Sequence, residues 1–353
     1  MIVRVDEFHS LLGRLVVDRL GPYDELFVPV RRDQPASGFS WVRYSGAESF
    51  TLDGYRPVDP VKVLFYSARE QVVPLRPAPP RRIVAGVKAC DLRALALLDR
   101  ALVNDDFADP AYSAWRSSAV IISADCSEIS ATCHCSLLGG EPYAEAGFDV
   151  NVSRVGDEYA LAAATPQGEQ FIDLVRKHGR TRALDEAGRS RTSVQRADIR
   201  RRLDAQNRDF APLTDYAELR VSSPAIWKGE SRECVGCGAC TNICPTCYCL
   251  ILNDETESGP FVKVRSHDSC QLHGYAREAS GASPRPYMFD RFRNRYLCKF
   301  IYLNRQFGRL GCTGCGRCTE ACPGGIDLRR VLARAVQETP AAGACSSPDT
   351  GGS

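Results

Sequence analysis

One twelve-residue pattern occurs twice in this chain and constrains its fold more than any other feature. CVGCGACTNICP spans residues 234–245 and CTGCGRCTEACP spans 312–323. Each copy reads C-x2-C-x2-C-x3-C-P. The first holds Cys234, Cys237, Cys240, Cys244 and Pro245, and the second holds Cys312, Cys315, Cys318, Cys322 and Pro323. Three thiols spaced two residues apart can wrap one corner of a compact inorganic body as the backbone turns around it. Gly236, Gly238, Gly314 and Gly316 supply the unusual backbone angles and the close approach that such a wrap needs. One supersecondary unit is therefore used twice.

The spacing is that of a cubane [4Fe–4S] cluster in bacterial ferredoxins. A zinc ribbon takes two C-x2-C pairs, four ligands in all. It has no use for a third cysteine two residues on, nor for the Cys-Pro that follows. The fourth cysteine of each copy is poorly placed to fold back onto its own cube, and in two-cluster ferredoxins it ligates the other one. The expected ligand sets are Cys234, Cys237, Cys240 and Cys322 for one cluster, and Cys312, Cys315, Cys318 and Cys244 for the other.

Composition decides the setting. Seventeen cysteines in 353 residues is an odd count in a long chain. The N-terminal stretch is interrupted by Asp6, Glu7, Arg14 and Asp18 and has no continuous apolar core for an export signal. A cytoplasmic location is expected, where thiols stay free or bind metal. A formal net charge of +2 argues against a general nucleic-acid binder, and no run is long and apolar enough for a membrane span.

Residues 1–170 read as an α/β domain. KVLFY (62–66), RIVAGVKA (82–89) and AVIISAD (119–125) are apolar runs of strand length. DLRALALLDRALV between the last two has Leu92, Leu95, Ala96 and Leu102 at helical spacing, with Asp91 as the expected N-cap. Strand, helix and strand make one crossover with parallel strands. Cys90 and Cys126 then fall at the carboxyl edge of the sheet, and CSEISATCHC adds Cys133 and Cys135 in the next loop. These four thiols are a candidate third iron–sulfur or zinc site, the alternative being thiols that bind nothing. His134 is a weaker candidate ligand.

Residues 171–225 are polar and Arg-rich and read as a helical linker. Residues 226–335 form the expected α-helical dicluster ferredoxin domain, and 336–353, with Cys345, a disordered tail. Phe289, Phe292, Tyr296, Phe300, Leu303 and Phe307 recur at helical spacing and predict a helix with an aromatic core face. Arg291, Arg295 and Lys299 are expected on a solvated opposite face, the alternative being a docking face for an acidic partner. Cys247, Cys249 and Cys270 are read as packing around the first cluster, with a partial site as the alternative, and Cys298 as core.

With these residues in view, the chain resembles the iron–sulfur β subunit of cytoplasmic sulfhydrogenases (bidirectional NiFe hydrogenases) and the matching iron–sulfur subunit of anaerobic sulfite reductase. The resemblance rests on GVKACDLRALALLDR (86–100), DCSEISATCHCSLLGGEP (125–142), CVGCGACTNICPTCYC (234–249), HDSCQLHGYAREASGASPR (267–285), RFRNRYLCKF (291–300) and CTGCGRCTEACP (312–323). His267, Cys298 and the segment SLLGGEP depart from the family's usual residues. The resemblance implies a subunit that relays electrons between a flavin subunit reacting with NAD(P)H and a separate catalytic redox subunit. No G-x-G-x-x-G follows a strand, so no dinucleotide fold is expected in the chain itself. No nucleophile–base motif is found either, and no substrate chemistry by the chain alone is expected. The competing readings are a self-contained flavin or iron–sulfur oxidoreductase and a zinc-stabilised interaction module.

Overall fold

The computed structural model describes residues 1–32, 38–104, 106–210, 216–256 and 259–337. Almost all of the expected tail, including Cys345, lies outside the described residues. The N-terminal half is built on an eight-stranded mixed sheet. Its strands are β1 (Ile2–Arg4), β2 (Glu25–Arg32), β3 (Gly38–Arg43), β5 (Arg82–Val87), β6 (Ala119–Ala124), β7 (Val150–Val155), β8 (Glu158–Ala163) and β9 (Thr181–Arg182), with β4 (Arg69–Val73) lying apart in a second sheet. The spatial order is β3-β2-β5-β6-β7-β8-β1-β9. The middle strands β2, β5, β6 and β7 run parallel, and antiparallel pairs close both flanks.

Every residue of β5 and β6 is buried, because helices cover both faces. Ile83, Ala85, Val120 and Ile122 point to a core shared with α1 (Val5–Val17) and α4 (Pro166–His178). Val84, Val87 and Ile121 point the other way, to a core shared with α2 (Ala89–Leu102) and α3 (Pro110–Ser117). This alternation follows from the two-residue period of a strand, with Val87 switched to the second face by the irregularity between Ala85 and Val87.

The Arg-rich stretch after residue 171 is not merely a solvated linker. α5 (Glu186–Gln206) buries Ile199 and Leu203 and packs on β7. Its Arg196 pairs with Asp125 at 2.7 Å, just beyond β6.

The C-terminal half is helical: α6 (Pro224–Glu230), α7 (Ala239–Asn242), α8 (Met288–Leu297), a π-helical turn at Cys298–Tyr302, α9 (Leu303–Phe307), α10 (Arg317–Glu320) and α11 (Leu328–Gln337). Trp227, Phe292, Tyr296, Phe300 and Val331 form its core. The fold is thus an α/β sheet region followed by a helical region that carries both cysteine motifs.

Four local expectations are corrected. KVLFY forms a 3-10 turn at Val61–Leu64, not a strand. Val61, Lys62, Phe65 and Tyr66 are buried while Val63 is exposed, which is a helical rather than an alternating burial pattern. Asp91 is not the N-cap of α2. Lys88 occupies that position, and Asp91 lies inside the first turn, fully buried. Arg291, Arg295 and Lys299 are buried, not solvated. Arg291 donates to the carbonyls of Gln271 and Pro286, and Lys299 donates to Thr246 Oγ1 at 2.6 Å. Finally, the stretch between the motifs is not only helical. β10 (Leu250–Glu255) and β11 (Val262–His267) form a hairpin, and β11 also pairs with β4.

That hairpin ties the two halves together. Arg265 on β11 is 1 % exposed and reaches Glu70 on β4 at 2.5 Å and Asp109. A second buried tie joins Arg317 on α10 to Asp91 on α2 by two bonds of 2.8 and 2.7 Å. Removing one member of such a pair leaves a buried charge uncompensated, at a cost of about 3–5 kcal/mol. Asp91→Asn is therefore expected to lower the unfolding free energy of the anaerobic protein, from a denaturant titration followed by tryptophan fluorescence, by about 3–5 kcal/mol, seen as a lower midpoint. An unchanged midpoint would mean that Arg317 finds its stabilisation elsewhere.

Candidate metal centre

The repeated sequence yields a repeated backbone. Gly236 and Gly314 adopt φ values of +68° and +70°, and Gly238 and Gly316 adopt +74° and +73°. The second glycine of each copy is the N-cap of a one-turn helix, α7 or α10. These helices pack against each other, so the two loops lie side by side.

A cavity opens against the first loop. It is lined by Cys234, Cys237 and Cys240 from that loop and by Cys318 and Cys322 from the second. The side chains of Phe292, Arg295 and Tyr296 wall it. The structure therefore brings Cys322 to the three leading cysteines of the other copy. The thiols of Cys312, Cys315 and Cys318 interact electrostatically with one another, and Cys312 and Cys315 also with Cys244. Burial pushes the Cys240 thiol up to about 11 and the Cys312 thiol up to about 12. Such thiols stay neutral at neutral pH unless a metal takes the proton's place. Cys244 departs in the opposite direction, through a hydrogen bond from Cys247 and the nearby Lys299.

The surroundings fit a buried anionic group. Arg295 and Lys299 on one helical run, and Lys62 from the opposite half, are at most 6 % exposed. None has a carboxylate partner within salt-bridge distance among the described residues. Arg295 Nε is buried and makes no hydrogen bond. Lys62 Nζ donates to the carbonyls of Cys244 and Cys247 at 2.9 and 2.8 Å. Buried cations without an anion are costly, and a cage of iron, sulfide and four thiolates supplies the missing negative charge.

The second loop is clamped by the α/β half. The Gly314 carbonyl accepts from His134 N at 2.8 Å. A Cβ on Gly314 would meet the Cys135 Cα at 2.4 Å, and one on Gly316 would meet the Thr132 carbonyl at 2.3 Å. Arg56 donates to the Cys315 carbonyl at 2.6 Å and pairs with Glu320 at 2.7 Å. The Cys126, Cys133 and Cys135 thiols interact with one another, and Cys90 interacts with both Cys126 and Cys315. Cys126 is pushed up to about 12, first by burial. The loop carrying Cys133 is held in turn by α5 and the residue after it, with Gln206 and Asn207 donating to the Cys133 carbonyl at 2.6 and 2.9 Å. His134 is buried, with its Nδ1 2.9 Å from the Thr132 carbonyl.

Among the described residues, no three or more His, Cys, Asp or Glu side chains converge tightly enough to hold a single metal ion. This is as true of the two repeated motifs as of the N-terminal thiols.

These features fit a protein that holds iron–sulfur clusters, and residues 233–326 match the family described as the 4Fe-4S dicluster domain. Over a longer span, the chain is similar to the sulfhydrogenase 2 subunit beta of Pyrococcus furiosus, with 27% identity across 94% of this chain and 98% of that protein. It is a homologue of that subunit, as its sequence motifs imply. It is also similar, at 20% identity, to the F420-dependent formate dehydrogenase subunit beta of Methanocaldococcus jannaschii, across 53% of this chain and 44% of that one. No solved structure matches the chain. Among the described residues, no helix is long and apolar enough to cross a membrane.

Two glycines separate docking from backbone conformation. Gly314 and Gly325 both have positive φ, but only Gly314 faces another backbone, and Gly325 faces open space. Gly325→Ala is expected to cost about 1 kcal/mol from strain alone, with its iron content intact. Gly314→Ala is expected to displace the 132–135 loop and to lower bound iron in anaerobically purified protein. Equal iron in the two variants would show that this close approach does not matter.

Proposed function

We propose that the chain is an iron–sulfur electron-transfer subunit holding two [4Fe–4S] clusters. Cys234, Cys237, Cys240 and Cys322 would hold one, and Cys312, Cys315, Cys318 and Cys244 the other. The observation that carries this reading is the cavity where Cys322 of the second copy faces the three leading cysteines of the first, beside an Arg295 that has no counter-ion. When bound, each cluster accepts and releases single electrons. The chain's own residues exclude water, hold the two loops at a fixed spacing and offset negative charge with Arg295, Lys299 and Lys62.

The first loop is the end open to partners. Cys237 is exposed and Val235 beside it is 67% exposed, whereas Cys315 and Cys244 are buried against the α/β half. The two relatives are named as subunits of a hydrogenase and a formate dehydrogenase, which supports assembly with a catalytic redox subunit. A flavin subunit reacting with NAD(P)H would be the electron donor, in the cytoplasm. Cys90, Cys126, Cys133 and Cys135 are retained as a third site, for an iron–sulfur cluster or for zinc. Their mutual electrostatic interaction supports it.

Anaerobic purification is expected to give a brown protein with at least about eight irons per chain, bleached by dithionite. The crossed ligation makes a sharper demand. Cys322→Ala should lose the same spectroscopic cluster as Cys237→Ala, and Cys244→Ala the same one as Cys312→Ala. If Cys322→Ala instead matched Cys312→Ala, each copy would hold its own cube and the crossed assignment would be wrong.

A further inference from the structure

Four cysteines outside the repeated motifs line one cavity. Cys247, Cys249, Cys270 and Cys298 come from three separate stretches of the C-terminal half and border a space of about 480 Å³. All four are free thiols. Cys270 is buried, while Cys247, Cys249 and Cys298 are partly exposed on a cavity whose rim includes Tyr302, 43% exposed. Thiols serving only as small core residues pack against apolar neighbours and leave no such space.

The walls are those of an anion site. Arg295 and Lys299 both line this cavity, and Arg295 also lines the one at the first loop. Lys62 binds the Cys247 carbonyl from behind. Tyr275 donates its hydroxyl to Cys249 Sγ at 3.3 Å, and Gln271 Nε2 reaches Cys270 Sγ at 3.6 Å. Hydrogen bonds to ligating sulfur are one means by which a protein sets a cluster's potential. Cys298 opens the π-helical turn, a widened turn of the kind found at functional sites. The thiols of Cys249, Cys270 and Cys298 interact with one another. A cubane presents four separate iron corners, one for each of the four thiols.

We infer that Cys247, Cys249, Cys270 and Cys298 ligate a further [4Fe–4S] cluster, next to the one that Cys244 serves. Each thiol gives its proton to solvent as its sulfur binds iron. Cys244 and Cys247 are three residues apart in one loop, and Lys299 interacts with both. The site therefore extends the electron path of the proposed function past the second cluster toward the surface near Tyr302.

Iron counting and thiol labelling on the full anaerobic chain test this. The double variant C249A/C270A is expected to lose about four irons relative to the unaltered chain, with the spectra of both motif clusters kept. In the unaltered holoprotein, Cys247, Cys249, Cys270 and Cys298 should resist iodoacetamide until a chelator strips the iron. This second measurement needs no variant to fold. Unchanged iron in the double variant, or alkylation of these thiols in the iron-loaded chain, overturns the inference. If Cys237→Ala still loses iron in the same experiment, the proposed function survives. An unaltered chain without iron would sink both.

Discussion

Five cations lie buried around the two cysteine loops: Arg56, Lys62, Arg295, Lys299 and Arg317. The rest of the structure depends on how their charge is met. Taking an ion out of water costs several kcal/mol even after relaxation, so each needs an anion in place. Arg317 has Asp91 and Arg56 has Glu320. Among the described residues, Lys62, Arg295 and Lys299 meet carbonyls, a hydroxyl, cysteine sulfur and, for Arg295, the Tyr296 ring, but no carboxylate. Exposed pairs such as Arg176–Asp173 matter little by comparison, since surface ion pairs contribute about 0–1 kcal/mol. The interior is balanced only when the thiols carry negative charge. On the cluster assignments proposed above, loading with metal would be coupled to folding.

The same charges explain why the α/β half exists in a chain whose chemistry sits at the other end. Asp91, Arg56 and the 132–135 loop all come from that half, and all close on the second motif. The β4–β11 pairing and the buried Arg265 fasten the opposite side. The sheet thus acts as a clamp that fixes one loop rigidly and leaves the other near the surface. An electron relay needs that asymmetry, with one protected step and one end accessible to a partner.

What could be read in the sequence was what is encoded locally. The cysteine spacing carries its own geometry, because the positive-φ glycines sit inside the twelve residues that use them. The runs at 82–87 and 119–124 betrayed a doubly covered parallel sheet, since buried strands need no polar face. Three of the four misreadings involve distant partners. KVLFY looks like a strand until Lys62 is seen to turn inward to carbonyls about 180 residues away. Arg295 and Lys299 look solvated until a cavity is placed beneath them. Asp91 looks like a cap because its partner Arg317 lies at the far end of the chain. No periodicity in one segment reports such pairings.

The second motif also occupies a particular place among the cysteines. Its Cys318 interacts with Cys240 of the first loop, its Cys315 with Cys90 of the α/β half, and its partner Cys244 with Cys247 and, through Lys299, the neighbourhood of Cys298. On the assignments proposed above, this makes the second cluster a junction rather than a link in a single file. A straight wire needs two neighbours, one for entry and one for exit. A junction with three lets electrons that arrive singly be held on a side branch until a partner takes them in pairs. That matches the step such a subunit would have to bridge, between a two-electron hydride carrier and clusters that each pass one electron. Burial then has a second consequence. Low dielectric strengthens the interaction between neighbouring charges, so an electron on the junction raises the cost of adding another to any branch. The buried cations shared between sites, Arg295 and Lys299 above all, are placed to moderate that repulsion.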